Sequence, residues 1–443
     1  MSEFVTNYID KYVNKTCICG KIHTTPIEDV IIENGAINKL PEVINRYNAK
    51  KAFIIADVNT YEVAGKKACN ILEENNIEYK KFIFTDKELE PDEKAVGSVT
   101  LAFDKSCDII IAIGSGVIND TSKILSNIAN KPYIIVATAP SMDGYASDTS
   151  SMAVNGLKVS VPSASANVII GDIDIIKNAP VKMLTSGLGD MLAKYISICE
   201  WKIATLLIGE YYCETIANLV NDALKKCVDN AEGLLKRDDA AVKAVFEGLI
   251  ICGIAMGYAK ISRPASGMEH YISHVWDMRA LAFNAPSSTH GIQCAIGTLY
   301  TAKLYEIIKS TTPNREKALK YVKNFNVNDW YEKLDNFMGS GADAMITLDK
   351  KEQKYDKEKH NHRLNLIINN WDKIIEIIDA LPSSSEIEKI LDTIDCPKDM
   401  AEIGIDREML PLTLKAAKDI RDKYVASRLL WDLGIIDEVT EHI

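Results

Sequence analysis

Short runs of apolar, β-branched residues alternate with helical patterns through the first part of the chain. The strands predicted from these runs are 52–57, 108–114, 133–138 and 168–176. Runs that are apolar along their whole length are typical of strands covered on both faces, as in parallel sheets. The stretches between them, such as residues 62–76, have the character of crossover helices. The pattern predicts an α/β domain over residues 1–180.

A different pattern begins near Pro180. From there strand patterns almost disappear and amphipathic helical periodicity dominates, most clearly over 210–237 and 239–259. We therefore expect an all-α domain over residues 181–443. Within the first domain, residues 150–164 are predicted to add a hairpin with Asn155-Gly156 at its turn.

The composition excludes some classes of function. The 443 residues are 47% hydrophobic and carry a net charge of −11 without a basic stripe, which argues against a nucleic-acid partner. The N-terminal residues lack the apolar core of a signal peptide, and we find no apolar run of the roughly 18 residues that span a bilayer. Ten scattered cysteines suit a reducing compartment. We expect a soluble cytoplasmic protein without a membrane span.

Three of the seven histidines lie within residues 267–291. His270 and His274 are four residues apart, so on a helix they share one face. His290 follows a Pro-Ser-Ser-Thr turn that can bring it back toward that face. An i,i+4 histidine pair alone is also typical of a helix surface. The third histidine favours a metal site, because neutral imidazole is a common transition-metal ligand.

Asp190, in the segment GLGDMLAK, is the candidate acidic ligand. A helix N-cap is the alternative role for an aspartate in this setting. Together with His270 and His290 it offers one carboxylate and two imidazoles. Three protein ligands leave coordination positions open for substrate, as catalytic sites require. Zn²⁺, Ni²⁺ and Fe²⁺ all fit such a set.

A glycine turn, Gly114-Ser115-Gly116, connects a predicted strand to a helix that we expect from about Thr121. Small residues let the backbone approach a bound group, and a helix N-terminus suits a pyrophosphate. Glycine required for turn geometry alone is the alternative. The turn matches neither a Walker loop nor G-x-G-x-x-G.

Polar residues also follow two other predicted strands. Asp57 ends the first, where a carboxylate can accept hydrogen bonds from an adenosine ribose and repel a 2′-phosphate. This would favour NAD over NADP, with a helix cap as the alternative. Residues 138–147 are dense in hydroxyls and include Asp143, at the edge where open α/β sheets bind ligands.

Near the N-terminus, Cys17, Cys19 and His23 form a C-x-C-G-x₂-H pattern. The spacing is short, and no second half of a metal site is apparent in the sequence. We expect a local structural turn here, with a second metal site as the alternative.

Five segments occur in the order found in glycerol-1-phosphate dehydrogenases, and they resemble that family: GSGVINDTSK, ATAPSMDGYAS, GLGDMLAK, SGMEHYISHVWDM and STHG. The family belongs with the iron-containing alcohol dehydrogenases, glycerol dehydrogenases and dehydroquinate synthases, and the chain is similar to its bacterial branch. The resemblance is strong over about residues 110–300, weaker over 30–110 and vague beyond 310. It implies a Rossmann-like dinucleotide-binding domain followed by an all-α metal-binding domain, the dehydroquinate synthase-like fold.

The resemblance also implies a role for each matching residue. Asp190, His270 and His290 would ligate the metal, while Asp143, His274 and Asp190 would bind substrate and act in catalysis. The family's Gly-Gly-Gly turn is Gly-Ser-Gly here. The cofactor would contact two segments, with its phosphates at Gly114, Gly116, Val117, Ile118, Asn119 and Asp120 and its nicotinamide half at Thr138, Ala139, Pro140, Ser141 and Ser147.

The implied activity is reversible hydride transfer between dihydroxyacetone phosphate and sn-glycerol 1-phosphate, a step in phospholipid metabolism. It would use NAD(H), with NADP(H) as the alternative, and one Zn²⁺ or Ni²⁺ in preference to Fe²⁺. Rival functions are a dehydrogenase of an unphosphorylated polyol such as glycerol and a dehydroquinate synthase-like cyclase. Broad apolar helix faces predict a homodimer or higher homo-oligomer. Candidates for holding the substrate phosphate are Lys158, Lys194, Lys260, Arg263 and Arg279.

Overall fold

Two compact units make up the described part of the chain. The computed structural model describes residues 13–86, 89–154 and 157–443. Unit 1 comprises the described residues up to Met191 together with Asn218–Ile261, and unit 2 comprises Leu192–Ala217 and Ser262–Ile443. The domains predicted from the sequence, 1–180 and 181–443, divide the chain by its type of secondary structure. Their boundary stays a prediction.

Unit 1 contains a six-stranded parallel sheet of order β3-β2-β4-β5-β8-β1. A separate antiparallel hairpin pairs β6 with β7, as predicted, and its predicted Asn155-Gly156 turn lies outside the described residues. The strands are β1 Asp29–Glu33, β2 Lys51–Asp57, β3 Glu78–Phe84, β4 Ile109–Gly114, β5 Tyr133–Ala137, β6 Thr149–Val154, β7 Leu157–Pro162 and β8 Val168–Asp172.

The four strands predicted for the sheet are its inner strands, and the two that the pattern missed are its edges. The inner strands β4, β5 and β8 are buried along their whole length, so their apolar runs are continuous. The edge strand β3 carries exposed lysines and has no such run. The predicted strand 168–176 is too long, because the Asp172 side chain accepts a hydrogen bond from the Asp174 N–H and begins a short helix.

Helices connect the strands of unit 1. The predicted crossover helix 62–76 is present as α3, preceded by a π-helical turn, Tyr61–Gly65. The helices up to residue 261 are α1 Leu40–Arg46, α2 Val58–Thr60, α3 Lys66–Glu74, α4 Glu93–Ala102, α5 Gly116–Ala129, α6 Ile173–Ile176, α7 Val181–Ile208, α8 Glu214–Asp229, α9 Ala231–Leu234 and α10 Asp239–Ala259; α7 and α8 contribute residues to both units.

No strand occurs in the described residues after Asp172, in agreement with the predicted change of pattern. The helices of unit 2 that follow are α11 Met268–Phe283, α12 His290–Lys309, α13 Arg315–Asn324, α14 Val327–Met338, α15 Ala342–Glu352, α16 Lys357–Asn369, α17 Trp371–Asp379, α18 Ser384–Thr393, α19 Leu410–Ala417, α20 Ala426–Asp432 and α21 Ile436–Thr440.

Helix α10 corrects the prediction that no apolar stretch is long enough to cross a bilayer. By length and composition alone it is the one helix among the described residues that could do so. However, 78% of its most apolar 18-residue window is buried inside the protein. Burial of this kind is what a core helix of a globular domain shows, so α10 is not read as a membrane span.

Candidate functional site

The glycine turn lies at the carboxyl end of β4, and α5 begins at Gly116 rather than near Thr121 as predicted. The first intrahelical bond runs from the Asn119 N–H to the Ser115 carbonyl at 2.9 Å, and the Ser115 side chain does not cap the helix. The N–H groups of the first turn therefore point out of the helix end at the sheet edge. Such a helix end suits an anion, and the predicted contact with a dinucleotide phosphate stays a prediction.

The two glycines of this turn have different roles. A Cβ on Gly114 would lie 2.6 Å from the Ile118 Cβ, so Gly114 lets α5 pack closely against the sheet. A Cβ on Gly116 would meet nothing nearer than Met142, at 3.7 Å. The protein itself does not require glycine at position 116. A bound group that approached the backbone at this position would require glycine there.

Asn119 and Asp120 make internal contacts that organise the turn. The Asn119 side chain accepts a hydrogen bond from the Tyr133 hydroxyl at 3.0 Å and donates to the Gly144 carbonyl at 3.1 Å. Asp120 pairs with buried Lys123 at 2.9 Å. Both side chains hold neighbouring segments in place, so direct contacts to a cofactor at these two positions stay a prediction.

Asp57 caps α2. Its Oδ1 accepts hydrogen bonds from the N–H groups of Asn59 at 2.8 Å and Thr60 at 2.9 Å, in a capping box. The helix-cap alternative is therefore confirmed. The carboxylate also ends β2, which pairs with β4 through Ala56 and Ile113, so it lies beside the glycine turn. That position keeps the predicted ribose role open as a second use of the same side chain.

Residues 138–147 form a largely buried loop after β5, and hydrogen bonds hold this loop in place. The Thr138 N–H donates to the Gly114 carbonyl at 3.1 Å, which joins the loop to the glycine turn. The Tyr145 hydroxyl donates to the Ala139 carbonyl at 2.6 Å, and the Ser186 hydroxyl donates to the Ser141 carbonyl at 3.0 Å. The predicted nicotinamide segment therefore has a fixed shape.

Helix α7 passes this loop closely. A Cβ on Gly187 would lie 1.8 Å from the Pro140 carbonyl oxygen, which explains a glycine in the second turn of a 28-residue helix. Asp190 follows one turn farther on and is fully buried. Its Oδ2 accepts a hydrogen bond from the Asp143 N–H at 2.9 Å. The N-cap alternative for Asp190 is wrong, because the residue lies inside the helix.

The three clustered histidines meet in unit 2. His270 and His274 lie on α11, as predicted, and His290 is the first residue of α12. The ring centroids of His270 and His290 are 5.0 Å apart, and those of His274 and His290 are 6.3 Å apart. His270 is buried, whereas His274 and His290 are half-buried. The cluster is thus closed on one side and accessible on the other.

Glu269 orients the His270 ring. The Glu269 Oε1 atom accepts a hydrogen bond from the Gly267 N–H at 2.6 Å and lies 2.8 Å from His270 Nδ1. An oxygen that already accepts one hydrogen bond suits a protonated Nδ1, which leaves the Nε2 lone pair for a metal. Burial, with the positive charge of Lys194 and the other histidines, holds the pKa of His270 well below its usual range. The ring is therefore neutral, as a ligand must be.

A relay of side chains orients His290. Gln293 Nε2 donates to the Asp277 carboxylate at 3.0 Å, which turns the Gln293 oxygen toward Ser273. The Ser273 hydroxyl donates to that oxygen at 2.7 Å, and its own oxygen lies 3.2 Å from His290 Nδ1. His290 Nδ1 is then the donor to Ser273, and Nε2 is left for a ligand role.

The donor set of this cluster fits a divalent transition metal. One ligand atom from each of His270, His290 and Cys294 lies within 4.8 Å of the others. Sequence reasoning did not single out Cys294, Ser273 or Glu269. The i,i+4 spacing of His290 and Cys294 and the position of Glu269 next to His270 were the available signals.

Two of the basic residues predicted as phosphate contacts interact with other residues of the protein. Buried Arg263 makes a bidentate pair with Glu210 and donates to the Tyr424 carbonyl. The Arg279 guanidinium lies 4.1 Å from the ring centroid of Phe337. Arg263 therefore forms a structural ion pair, and a contact between it and a substrate phosphate stays a prediction.

Comparisons with known proteins agree with this geometry. A family model for iron-containing alcohol dehydrogenases matches residues 31–180. The chain is 27% identical over 417 residues to a glycerol-1-phosphate dehydrogenase (NAD(P)+) of Halalkalibacterium halodurans, covering 93% of this chain and 94% of the relative. It is 30% identical over 335 residues to that of Bacillus licheniformis, covering 74% and 82%. The chain belongs to the glycerol-1-phosphate dehydrogenase family.

The fold of this family member is shared with more distant enzymes. A crystal structure of glycerol dehydrogenase from Schizosaccharomyces pombe superposes with a TM-score of 0.60 at 16% identity, covering 97% of this chain and 93% of that one. Identity at this level shows the fold alone. The predicted fold class, an α/β dinucleotide-binding part followed by a helical part, is confirmed.

Proposed function

We propose that this member of the glycerol-1-phosphate dehydrogenase family reduces dihydroxyacetone phosphate to sn-glycerol 1-phosphate with NAD(P)H, reversibly. The observation that carries the proposal is the 30% identity over 82% of a relative that bears this name. The histidine cluster of unit 2 and the dinucleotide-type strand ends of unit 1 agree with a metal- and NAD(P)-dependent dehydrogenase.

We propose Asp190, His270 and His290 as the ligands of one divalent metal, Zn²⁺ or Ni²⁺ in preference to Fe²⁺. Both imidazoles have Nδ1 committed to a hydrogen-bond partner, so both offer Nε2. Asp190 supplies a buried carboxylate whose geometry is fixed by the Asp143 N–H. When bound, such a metal polarises the substrate carbonyl and stabilises negative charge on its oxygen.

His274 and Asp143 are proposed to bind the substrate. His274 is half-buried and stacks near His290 on the accessible side of the cluster, which suits a group that meets a ligand from solvent. Asp143 lies in the loop of residues 138–147, which also carries the proposed nicotinamide contacts. Either side chain can hold the proton that the new hydroxyl group needs.

The cofactor is proposed to lie along the carboxyl edge of the sheet. The first turn of α5, at Gly116, Val117 and Ile118, would bind the pyrophosphate through backbone N–H groups. Asp57 would accept hydrogen bonds from the adenosine ribose. Thr138, Ser141 and Ser147 would border the nicotinamide, whose C4 atom supplies the hydride.

Product stereochemistry tests the proposal. Purified enzyme loaded with Zn²⁺ or Ni²⁺ is incubated with NADH and dihydroxyacetone phosphate, and the product is offered to a dehydrogenase specific for sn-glycerol 3-phosphate. We expect NADH oxidation and a product that this second enzyme does not accept. Oxidation of NADH to yield sn-glycerol 3-phosphate would contradict the proposal.

The same assay separates the rival functions. Glycerol oxidation without activity on dihydroxyacetone phosphate would indicate a polyol dehydrogenase. Phosphate release from a sugar phosphate without a net change in NADH would indicate a cyclase. Neither rival function has support beyond the shared fold. The S. pombe glycerol dehydrogenase has a sequence identity of only 16% with this chain, which shows the fold alone.

We further propose that the enzyme acts in the cytoplasm, in phospholipid metabolism, as a homodimer or higher homo-oligomer. Two large apolar side chains on the neighbouring helices α4 and α5 are exposed, Leu101 at 90% and Ile128 at 62%. Exposed apolar side chains on adjoining helices are typical of an interface. Light scattering coupled to size-exclusion chromatography gives the mass directly, and a monomeric mass would contradict the assembly proposal.

A further inference from the structure

A second group of potential metal ligands lies near the N-terminus of unit 1. The chain folds back on itself here, with an antiparallel bridge between Thr16 and Ile22. The Cys17 N–H donates to the Lys21 carbonyl at 2.9 Å, and Gly20 closes the turn with a φ of +82°. A positive φ at this position favours glycine, which explains the glycine of the C-x-C-G-x₂-H pattern.

This turn brings three ligand-type side chains together. One ligand atom from each of Cys17, Cys19 and His23 lies within 4.8 Å of the others. Cys19 Sγ is 3.6 Å from His23 Nε2. Two thiols on a tight turn, followed by a histidine that returns to them, are the arrangement that small zinc motifs use. The short spacing in sequence is therefore compatible with one ion.

The His23 ring is oriented for such a role. His23 is buried, at 1% exposure, and its Nδ1 lies 3.2 Å from the Tyr258 carbonyl oxygen near the end of α10. A carbonyl can only accept, so Nδ1 carries the proton and Nε2 keeps its lone pair on the side of Cys19. The ring also stacks on Tyr258, with centroids 5.5 Å apart. A hydrogen-bonded, stacked histidine is what a preformed metal ligand requires.

We propose that Cys17, Cys19 and His23 bind a structural Zn²⁺ through two thiolates and Nε2, separate from the catalytic metal. The thiol protons pass to solvent as the ion binds. Three soft or intermediate ligands favour Zn²⁺ over Mg²⁺ or Ca²⁺. A water molecule can complete the tetrahedral coordination of the ion.

The proposed ion would hold the N-terminal turn against α10. This helix matters to the candidate site, because a Cβ on its Gly253 would lie 2.9 Å from the Asp143 carbonyl oxygen. The N-terminal turn and the Asp143 loop thus both pack on α10. Zinc in the turn would stabilise this helix without touching substrate.

Metal content after chelation tests the proposal. Wild-type enzyme and the Cys17→Ser/Cys19→Ser variant are dialysed against a chelator that removes the catalytic metal, and the retained zinc is measured by mass spectrometry. We expect about one zinc per chain in the wild type and almost none in the variant, because thiolate sites bind zinc tightly. The matched controls, Cys396→Ser and His362→Gln, should retain the zinc. Equal zinc in wild type and variant would overturn the proposal.

X-ray absorption of the chelated wild-type enzyme covers the case in which the variant does not fold. We expect sulfur neighbours around the retained zinc at about 2.3 Å. Zinc with nitrogen and oxygen neighbours only, or no retained zinc, would contradict the site.

Discussion

The Asp143 backbone N–H donates a hydrogen bond of 2.9 Å to Oδ2 of Asp190. One residue of this pair is a proposed metal ligand, and the other is a proposed substrate contact. The bond connects helix α7 to the loop beyond β5, where Gly187 already brings the two backbones into contact. It fixes the direction of the Asp190 carboxylate before any ligand binds. Preorganisation of this kind supports catalysis, because the group need not be reoriented during the reaction.

Replacing Asp190 with asparagine separates charge from shape. Asp190→Asn keeps an oxygen that can accept from the Asp143 N–H but removes the negative charge that a metal requires. We expect a folded protein that loses the catalytic metal and at least about 100-fold of its activity. Metal analysis and circular dichroism measure the two effects. The exposed Asp372→Asn on α17 is the control, and full metal content in Asp190→Asn would count against the ligand role.

His290 and His270 should be required for the metal and dispensable for the fold. We expect His290→Ala and His270→Ala each to strip the metal and abolish turnover, with thermal unfolding still cooperative. The reason is that each ring supplies Nε2 to the proposed site. Full activity in metal-free His290→Ala protein would show that this ring is not a ligand.

The residues that orient the two imidazoles should tune metal affinity. Ser273→Ala removes the hydroxyl that lies between Gln293 and His290, and Glu269→Ala removes the partner of His270. We expect each change to weaken metal binding by about 10- to 100-fold. Glu269→Gln keeps an acceptor and should lose less. Metal titration by calorimetry gives the affinities, and unchanged affinity in Ser273→Ala would rule out the relay.

Asp57 is predicted to select against NADPH. Asp57→Asn can still cap α2 through its side-chain oxygen, so the fold should be retained, while the charge that repels a 2′-phosphate is lost. We expect KM for NADPH to fall relative to KM for NADH. The control is Asp92→Asn, an equivalent cap at the start of α4. Unchanged cofactor preference would remove Asp57 from the ribose site.

The inner strands and the histidine helix were predictable because their patterns are local. β4 and β5 are continuous apolar runs, and His270 and His274 follow helical spacing. The edge strand β3 was missed because its exposed residues interrupt the run. The sequence left two roles open for Asp57. The structure shows the helix cap, and the ribose role stays a prediction. Contacts between distant segments, such as Asp277 with Gln293 and Arg263 with Glu210, have no local signal.

The length of α7 was missed for a related reason. Gly187 and Gly189 weaken the helical pattern around Asp190, so the sequence suggested a helix start there. The structure shows that Gly187 permits the close approach to Pro140. A glycine inside a helix therefore marked a packing requirement next to the proposed site.

Metal-dependent reduction of dihydroxyacetone phosphate tests the central claim most directly. NADH oxidation is followed with the purified enzyme as isolated, after chelation, and after addition of Zn²⁺, Ni²⁺ or Fe²⁺. We predict that chelation abolishes the reaction and that Zn²⁺ or Ni²⁺ restores it in the wild type but not in His290→Ala. Undiminished NADH oxidation in the fully metal-free enzyme would contradict the account.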